Sequence, residues 1–426
     1  VYKRQGQALA SEADLSDQVE FYSDDPLLEE YVRSALDENP SLLEAIARYR
    51  ASLQKARQVT ALPDPTFSFN QFIRSVETRV GPQLNTFAIS QKFPWFGKLD
   101  LKGQVAVKQA ASHYQAFRAK EREVVAAVKR VFYELTYIDQ ALGINREEEL
   151  LLDHYEQHSQ AQYSQGEGLQ QAVIKIQAEL TQIFDRNALL TRQRASLVAQ
   201  MNHLMGYAAE QSVPPLASPN LPEVKLDLDL LYKLGELNRH ELKGAMARIE
   251  TEERAVELAK KDFWPDVTLS AGFINVGGRN DLAGEAFPPP DNGKNAFSLS
   301  IGVNLPIWRD KYNAGVLEAT ENAIAERHQY VAIRNEMEFS IRDQVVRLET
   351  LWDQLGLYEQ VLIPQAEEAL RSSESAYATG QLSVLELLDS ERFLLRARLI
   401  RARYNTDYLR ALTDLEQAVG TKFPSS

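Results

Sequence analysis

With 426 residues, 44% of them hydrophobic and 25% charged, the chain is an ordinary folding polypeptide, long enough on length alone for two or three domains. A net charge of −13 argues against nucleic acid as a partner, and no stretch approaches the ~20 apolar residues of a membrane-spanning helix. The absence of cysteine removes disulfides, thiolate zinc sites and cysteine nucleophiles together.

The chain starts at Val1 without Met, and no apolar signal core precedes the acidic run Ser11 to Glu30. Either a targeting segment has been removed or the sequence begins inside its gene, so 1–25 is taken as an extended, partly disordered segment. A helix follows, with Leu43, Ile46, Ala47 and Tyr49 at helical spacing, until Leu62-Pro63-Asp64-Pro65 stops it. Beyond that break the period changes to two. Phe67, Phe69 and Ile73 oppose Ser68 and Asn70; Phe87, Ile89 and Phe93 oppose Ala88, Ser90 and Lys92. Strands are therefore expected at about 66–74 and 84–93, joined by a loop from Arg74 to Leu84. Gln71 and Gln91 fall on the apolar face and weaken this pair.

From Lys98 to Gln165 the residues read as one helix. Val124, Val128, Val131, Leu135, Ile138 and Leu142 keep the alternating four-and-three spacing of a coiled-coil seam. At ~1.5 Å per residue, roughly 65 residues extend about 100 Å, further than a globular domain is wide. The element Tyr163-Ser164-Gln165-Gly166 ends it, and a second long helix returns.

The same order is then written again. Ala45-Ile46-Ala47-Arg48 recurs as Ala245-Met246-Ala247-Arg248, and Leu62-Pro63-Asp64-Pro65-Thr66-Phe67-Ser68 as Trp264-Pro265-Asp266-Val267-Thr268-Leu269-Ser270. Phe93-Pro94-Trp95-Phe96 recurs as Leu305-Pro306-Ile307-Trp308, and Tyr163-Ser164-Gln165-Gly166 as Tyr377-Ala378-Thr379-Gly380. The offset grows from 200 (Ala45 to Ala245) to 214 (Tyr163 to Tyr377), absorbed mainly in the loop around Gly277 to Asn295. The chain thus divides into a first unit, 26–212, a linker, 213–225, a second unit, 226–421, and a tail, 422–426. Strands at about 267–276 and 296–305 have the cleaner pattern, since Phe297, Leu299, Ile301, Val303 and Leu305 alternate with Ser298, Ser300, Gly302 and Asn304. The second seam is Ile341, Val345, Leu348, Trp352 and Leu355. Gly143 and Gly356-Leu357 interrupt the two seams at similar places, where helices bend or a collar forms, and Pro364 reinforces the second break. The last helix runs from Ser383 to about Val419 and stops at Gly420.

An apolar face opposite a small-polar face fits either a half-buried sheet or a transmembrane barrel. Four strands cannot close a barrel alone, whereas three copies give twelve and leave no free edge.

The duplicated plan, the Gln91-Lys92-Phe93-Pro94-Trp95-Phe96-Gly97-Lys98 turn and the Tyr377-x-x-Gly380 tip followed by Glu386 and Asp389 resemble the TolC-type outer-membrane efflux proteins. The resemblance covers about Pro26 to Gly420. It implies a mostly α fold with a small β part, built as a duplicated helix–β-hairpin–long helical hairpin. Three chains would form a 12-stranded β-barrel in outer-membrane lipid, continued by a long α-helical coiled-coil tunnel in the periplasm. Such a homotrimer is a passive duct, docked on a periplasmic adaptor (membrane fusion) protein and an inner-membrane pump of RND or ABC type. The turn after Phe93 is similar to that of family members accompanying metal-exporting pumps.

The resemblance also assigns residues. Glu386 and Asp389, spaced i,i+3 on one helical face, become an acidic ring that selects cations and whose crowding raises some of its pKa values. Their first-repeat equivalents are Ala172 and Lys175, and Leu382 stands where family members have an arginine. Tyr163, Gly166, Tyr377 and Gly380 form the periplasmic tip turns for adaptor docking. Pro94, Trp95, Gly97, Pro306 and Trp308 mark the strand-to-helix transition, with both tryptophans suited to an interfacial girdle or to helix-start packing. His154 and His158, at i,i+4, are a weak metal candidate, although Glu156 is misplaced for a zinc-hydrolase motif. No cofactor and no catalytic constellation are implied. The rival from another class is a soluble periplasmic coiled-coil scaffold without channel activity.

Overall fold

The computed structural model describes residues 23–422 apart from 24, 167 and 225, so most of the expected N-terminal segment and of the tail lies outside the described residues. Each half of the chain runs through a helix pair, a strand pair and long helices. The first comprises α1 (Pro26–Glu38), α2 (Pro40–Val59), β1 (Thr66–Thr78), β2 (Gly81–Phe93), α3 (Lys98–Ser164) and α4 (Gln170–Met205). The second comprises α5 (Leu228–Asn238), α6 (His240–Lys261), β3 (Val267–Val276), α7 (Leu282–Ala286), β4 (Ala296–Val303), α8 (Arg309–Leu357), α9 (Ile363–Ala378) and α10 (Val384–Val419).

The duplication extends to the caps. Asp25 accepts hydrogen bonds from the N–H groups of Leu27 and Leu28 at the start of α1, and Asp227 from those of Asp229 and Leu230 at the start of α5. These bonds satisfy amide donors that the first turn of a helix leaves orphaned. The long return helices end alike too. Gly206 after α4 and Gly420 after α10 take left-handed φ values of 71° and 79°. A Cβ on Gly206 would lie 2.7 Å from Glu38 O, and one on Gly420 3.0 Å from Arg239 N. Both positions combine a positive φ with close backbone approach, which only glycine supplies.

Contacts group the described residues into two units, each drawing on both halves. One contains the sheet, with residues 46–116 and 241–333. Its strands follow the order β1-β2-β3-β4, all antiparallel. Phe69, Phe87, Phe273 and Phe297 stand in register across all four, with neighbouring ring centroids 5.1, 6.1 and 5.1 Å apart. The same face carries Ile89, Leu269, Leu299 and Ile301, and Leu299 is 90% exposed. The opposite face carries Ser68, Ser90, Ser270, Ser298 and Ser300, as the alternation requires. The two glutamines that interrupt the apolar face have their amides satisfied by the main chain: Gln71 donates to Leu84 O at 2.9 Å and Gln91 to Pro63 O at 2.7 Å.

The first hairpin differs from expectation. Residues placed in a loop from Arg74 to Leu84 continue as strand, and only Arg79 and Val80 separate β1 from β2. A bulge between Gln71 and Val76 breaks the alternation there, which hides the strand from a period-two pattern. Gly81, at φ 124°, then closes the turn against Gly277 O. The β3–β4 connection is also more ordered than its Gly/Pro-rich composition suggests. It folds into α7, whose Asp281 accepts from Gly284 N–H, and it is held to the first hairpin by Arg79–Asp291 at 2.7 Å and Gly293 N–H to Val80 O at 2.7 Å.

The other unit holds residues up to 45, 117–240 and from 334 on. Its largest core is built on the predicted seam: Val124, Val128, Val131 and Leu135 pack with Phe132, Leu28, Val32, Met201 and Met205. The linker residues Val213 and Leu216 join that core, and Asp139 fixes them by accepting from Leu216 N–H and pairing with Arg194, which donates to Val213 O and Pro214 O. In the second seam Ile341, Val345, Leu348 and Leu355 are buried, but Trp352 is half-exposed and leans on the Tyr408 ring at 5.6 Å, while Leu351 is buried instead. The two expected helix breaks diverge. Gly143 lies in an uninterrupted α3, because a glycine only weakens a helix. Pro364 lacks the N–H that would bond residue 360 and clashes with the preceding turn, and the chain widens into a π-helix at Tyr358–Leu362.

Candidate functional site

The two tip turns are built alike and used differently. Gly166 and Gly380 adopt φ 78° and 70°, and each donates its N–H to the carbonyl of the tyrosine three residues before, Tyr163 and Tyr377, at 3.0 Å. Tyr163 is exposed. Tyr377 instead turns onto α3: its hydroxyl bonds Ser159 Oγ at 2.9 Å and its ring meets His158 edge-on at 5.7 Å. One turn further back, the Tyr155 hydroxyl donates to Glu374 of α9 at 2.7 Å, and burial followed by this bond raises the phenol pKa. Two hydroxyl contacts thus join the helix leading into the first tip to the helix leading into the second. His158 is engaged with Tyr377, and the His154 ring lies 6.4 Å from that of Tyr155. Among the described residues no group of three or more His, Cys, Asp or Glu is arranged to hold a metal.

After the second tip, Ser383 starts α10 with a capping box. Its hydroxyl caps the N–H of Glu386, while the Glu386 carboxylate accepts from the Ser383 hydroxyl at 2.7 Å and N–H at 3.0 Å. The bond from the Ser383 side chain and then that from its backbone hold Glu386 below the usual carboxylate range. The rise expected from crowding concerns several copies together; within the protomer the shift runs the other way. Glu386 and Asp389 lie on the exposed face of α10, with Leu387 and Leu388 buried between them. Their electrostatic settings differ. Asp389 pairs with Arg392 at 3.0 Å, and Arg392 also binds Glu179 of α4. Glu386 has no ion-pair partner among the described residues. The equivalent first-repeat positions carry no carboxylate, Ala172 packing on the tip core and Lys175 being exposed. Leu382 likewise packs on that core.

At the strand-to-helix transition the organiser is a residue that pattern reading passed over as part of a break. Asp266 accepts from Lys98 Nζ at 3.0 Å and from Trp95 N–H at 3.0 Å, and pairs with Lys92 at 3.0 Å through its other oxygen. Asn304 Oδ1 in turn accepts the Asp266 N–H. Burial acts to raise the carboxyl, but the bonds from Lys98, Trp95 and Lys92 prevail and bring it down to about 2. Lys98, nearly buried, also reaches Asp262 and Trp264 O, both at 3.3 Å. Trp95 stacks flat on Trp264 at 5.2 Å, whereas Trp308 is exposed. Gly97 supplies φ 84° at the helix entry. Pro94 and Pro306 bound the strands without being bonded into them. The repeated Pro-Asp element was the available signal, since Asp64 holds the equivalent place in the first copy.

The family of outer membrane efflux proteins matches residues 231–421. The chain is 26% identical over 179 residues to outer membrane protein TolC of Vibrio cholerae serotype O1, covering 39% of this chain and 37% of that protein. It is 23% identical over 212 residues to the cobalt-zinc-cadmium resistance protein CzcC of Cupriavidus metallidurans, covering 48% and 47% respectively. It therefore spans less than half the length of these relatives. The solved outer-membrane channel OprN has the same fold, with a TM-score of 0.77 at 18% identity over 93% of this chain and 90% of that one. The second half of the chain thus matches the outer membrane efflux protein family, and the fold of the whole is that of the solved channel OprN.

Proposed function

We propose that three copies of this chain form a passive export duct: a twelve-stranded barrel through the outer membrane continued by a helical tunnel in the periplasm. The observation that carries this reading is the sheet. It has four strands, two open edges at β1 and β4, a continuous apolar face exposed in the protomer, and a small-polar face behind it. An isolated sheet of this kind leaves unpaired backbone groups on both edges, and closure β4 to β1 around a threefold axis removes them. Residues 26–212 and 226–421 act as two copies of one building block, joined by 213–225. A periplasmic adaptor docks at the tip turns around Tyr163, Gly166, Tyr377 and Gly380, and an inner-membrane pump supplies the energy. The duct needs no cofactor and performs no catalysis.

The entrance is lined by Glu386 and Asp389, and Glu386 carries more of the selectivity because Arg392 already offsets Asp389. In planar bilayers the wild type is expected to prefer cations, Glu386→Gln to lower the cation-to-anion permeability ratio several-fold, and Asp389→Asn to lower it less. Unchanged selectivity in both variants would remove these residues from the constriction. Absence of any conductance from the folded wild type would favour the scaffold reading.

A further inference from the structure

Glu148 of α3 and Glu391 of α10 stand on the buried stripes of their helices. Glu148 precedes the core residue Leu152 by one turn, and Glu391 lies between Leu387 or Leu388 and Leu394. Glu391 is 3% exposed and Glu148 7%. Both residues line one cavity between α3 and α10, and Glu391 Oε2 is sealed from solvent without a hydrogen-bond partner. Charged side chains in such positions are normally neutralised by an ion pair. Here the cations packed around the pair are already engaged. From α10, Arg392 binds Glu179 of α4 and Asp389, and Arg398 binds Glu147 of α3 and Glu367 of α9. Arg186 of α4 donates to Asn145 Oδ1 at 3.2 Å. Tyr155 of α3 and Glu374 of α9 satisfy each other. Glu179 of α4 adds negative charge beside both.

We propose that Glu148 and Glu391 hold one proton between them as a latch joining α3 to α10, and that losing this proton drives the two helices apart. A carboxylic acid facing a carboxylate makes a strong hydrogen bond, whereas two carboxylates side by side in a dry site repel one another. Burial, then the bond and charge of Glu148, hold Glu391 up at about 10, and burial raises Glu148 as well. The packed state therefore keeps a proton that separated, solvated side chains would release above their ordinary value of 4.5. Packing is fully supported below that value and loses support as pH rises towards about 10. Across this window the ratio of separated to packed states rises by up to about tenfold per pH unit for a single proton. Resting on the duct reading, the consequence is an entrance whose helices are easier to part at alkaline than at acidic pH.

The chain lacks cysteine, so two introduced ones label uniquely. Spin labels at Arg146→Cys on α3 and Arg396→Cys on α10, both exposed positions, report the separation by pulsed dipolar spectroscopy on detergent-solubilised protein. The latch predicts a population at longer distance that grows between pH 5 and pH 9. Glu391→Gln keeps a donor facing Glu148 but carries no titrating proton, and it is expected to hold the short distance at both pH values. A pH response equal in the variant and the parent would overturn the proposal; so would a parent whose distance does not change with pH, whatever the variant does. This readout involves no conduction, so a failed latch and a failed duct are separately visible.

Discussion

Replacing Asp266 with alanine is expected to cost the sheet-bearing unit about 3–5 kcal/mol, the range for removing one partner of a buried ion pair and leaving the other uncompensated. The stranded group is Lys98, whose side chain is 8% exposed and would keep only the half-exposed Asp262 and the Trp264 carbonyl, both at 3.3 Å. The Trp95 N–H would lose its acceptor as well. Unfolding in denaturant, followed through the fluorescence of the stacked Trp95 and Trp264, measures the loss. A Lys98→Met change added to Asp266→Ala should recover part of it, because the isolated ammonium is what makes the deletion expensive. If the double variant is no more stable than the single one, the node is not held by this pair. The carboxyl also fixes a pH dependence. Its folded-state value is depressed to about 2 from 3.8, so its contribution is present above 3.8 and disappears as pH falls through about 2. The Asp266→Ala variant should lack that acid-side step.

The second large effect belongs to the other unit. Phe132 is 1% exposed in the core where α1, α3 and α4 meet, packed with Leu28, Val128, Leu135 and Met201 and edge-on to Tyr31 at 6.2 Å. Phe132→Ala removes a ring and leaves a cavity lined by side chains of three helices, expected to cost about 3–5 kcal/mol. As a short helix of 13 residues, α1 has little stability of its own, so the loss should show there first. Hydrogen exchange is expected to lose protection across Pro26–Glu38 in Phe132→Ala before it does so in the middle of α3. Uniform loss along α3 would mean that the ring supports the long helix rather than the docking of α1.

Much of this architecture is written in local pattern. The seam Val124 to Ile138 has strict coiled-coil spacing and is buried as that spacing requires. The final helix has a serine cap at one end and a left-handed glycine at the other, and its bounds follow from those two residues. The apolar strand faces could be read because the period of a strand is two. Where the pattern fails, the cause is physical. Trp352 occupies a seam position by spacing, yet its ring stays half-exposed against Tyr408, and the neighbouring Leu351 is buried instead. The bulge after Gln71 shifts the register and masks the end of β1.

What could not be read are contacts between residues far apart in the chain. Asp266 and Lys98 are 168 residues apart, and Ser159 and Tyr377 218 apart. Glu148 and Glu391 look like solvated helix charges until two helices from opposite halves are laid together. The pair Glu386 and Asp389 is legible only through the family resemblance, and nothing in the local pattern points to Arg392, which pairs with Asp389.

On the proposed assembly one chain supplies a third of a closed barrel, and the mass of the detergent-solubilised protein tests this most directly. Native mass spectrometry of protein extracted from outer membranes should find three copies of the chain in one particle. A single chain that stays in solution without detergent would contradict the account.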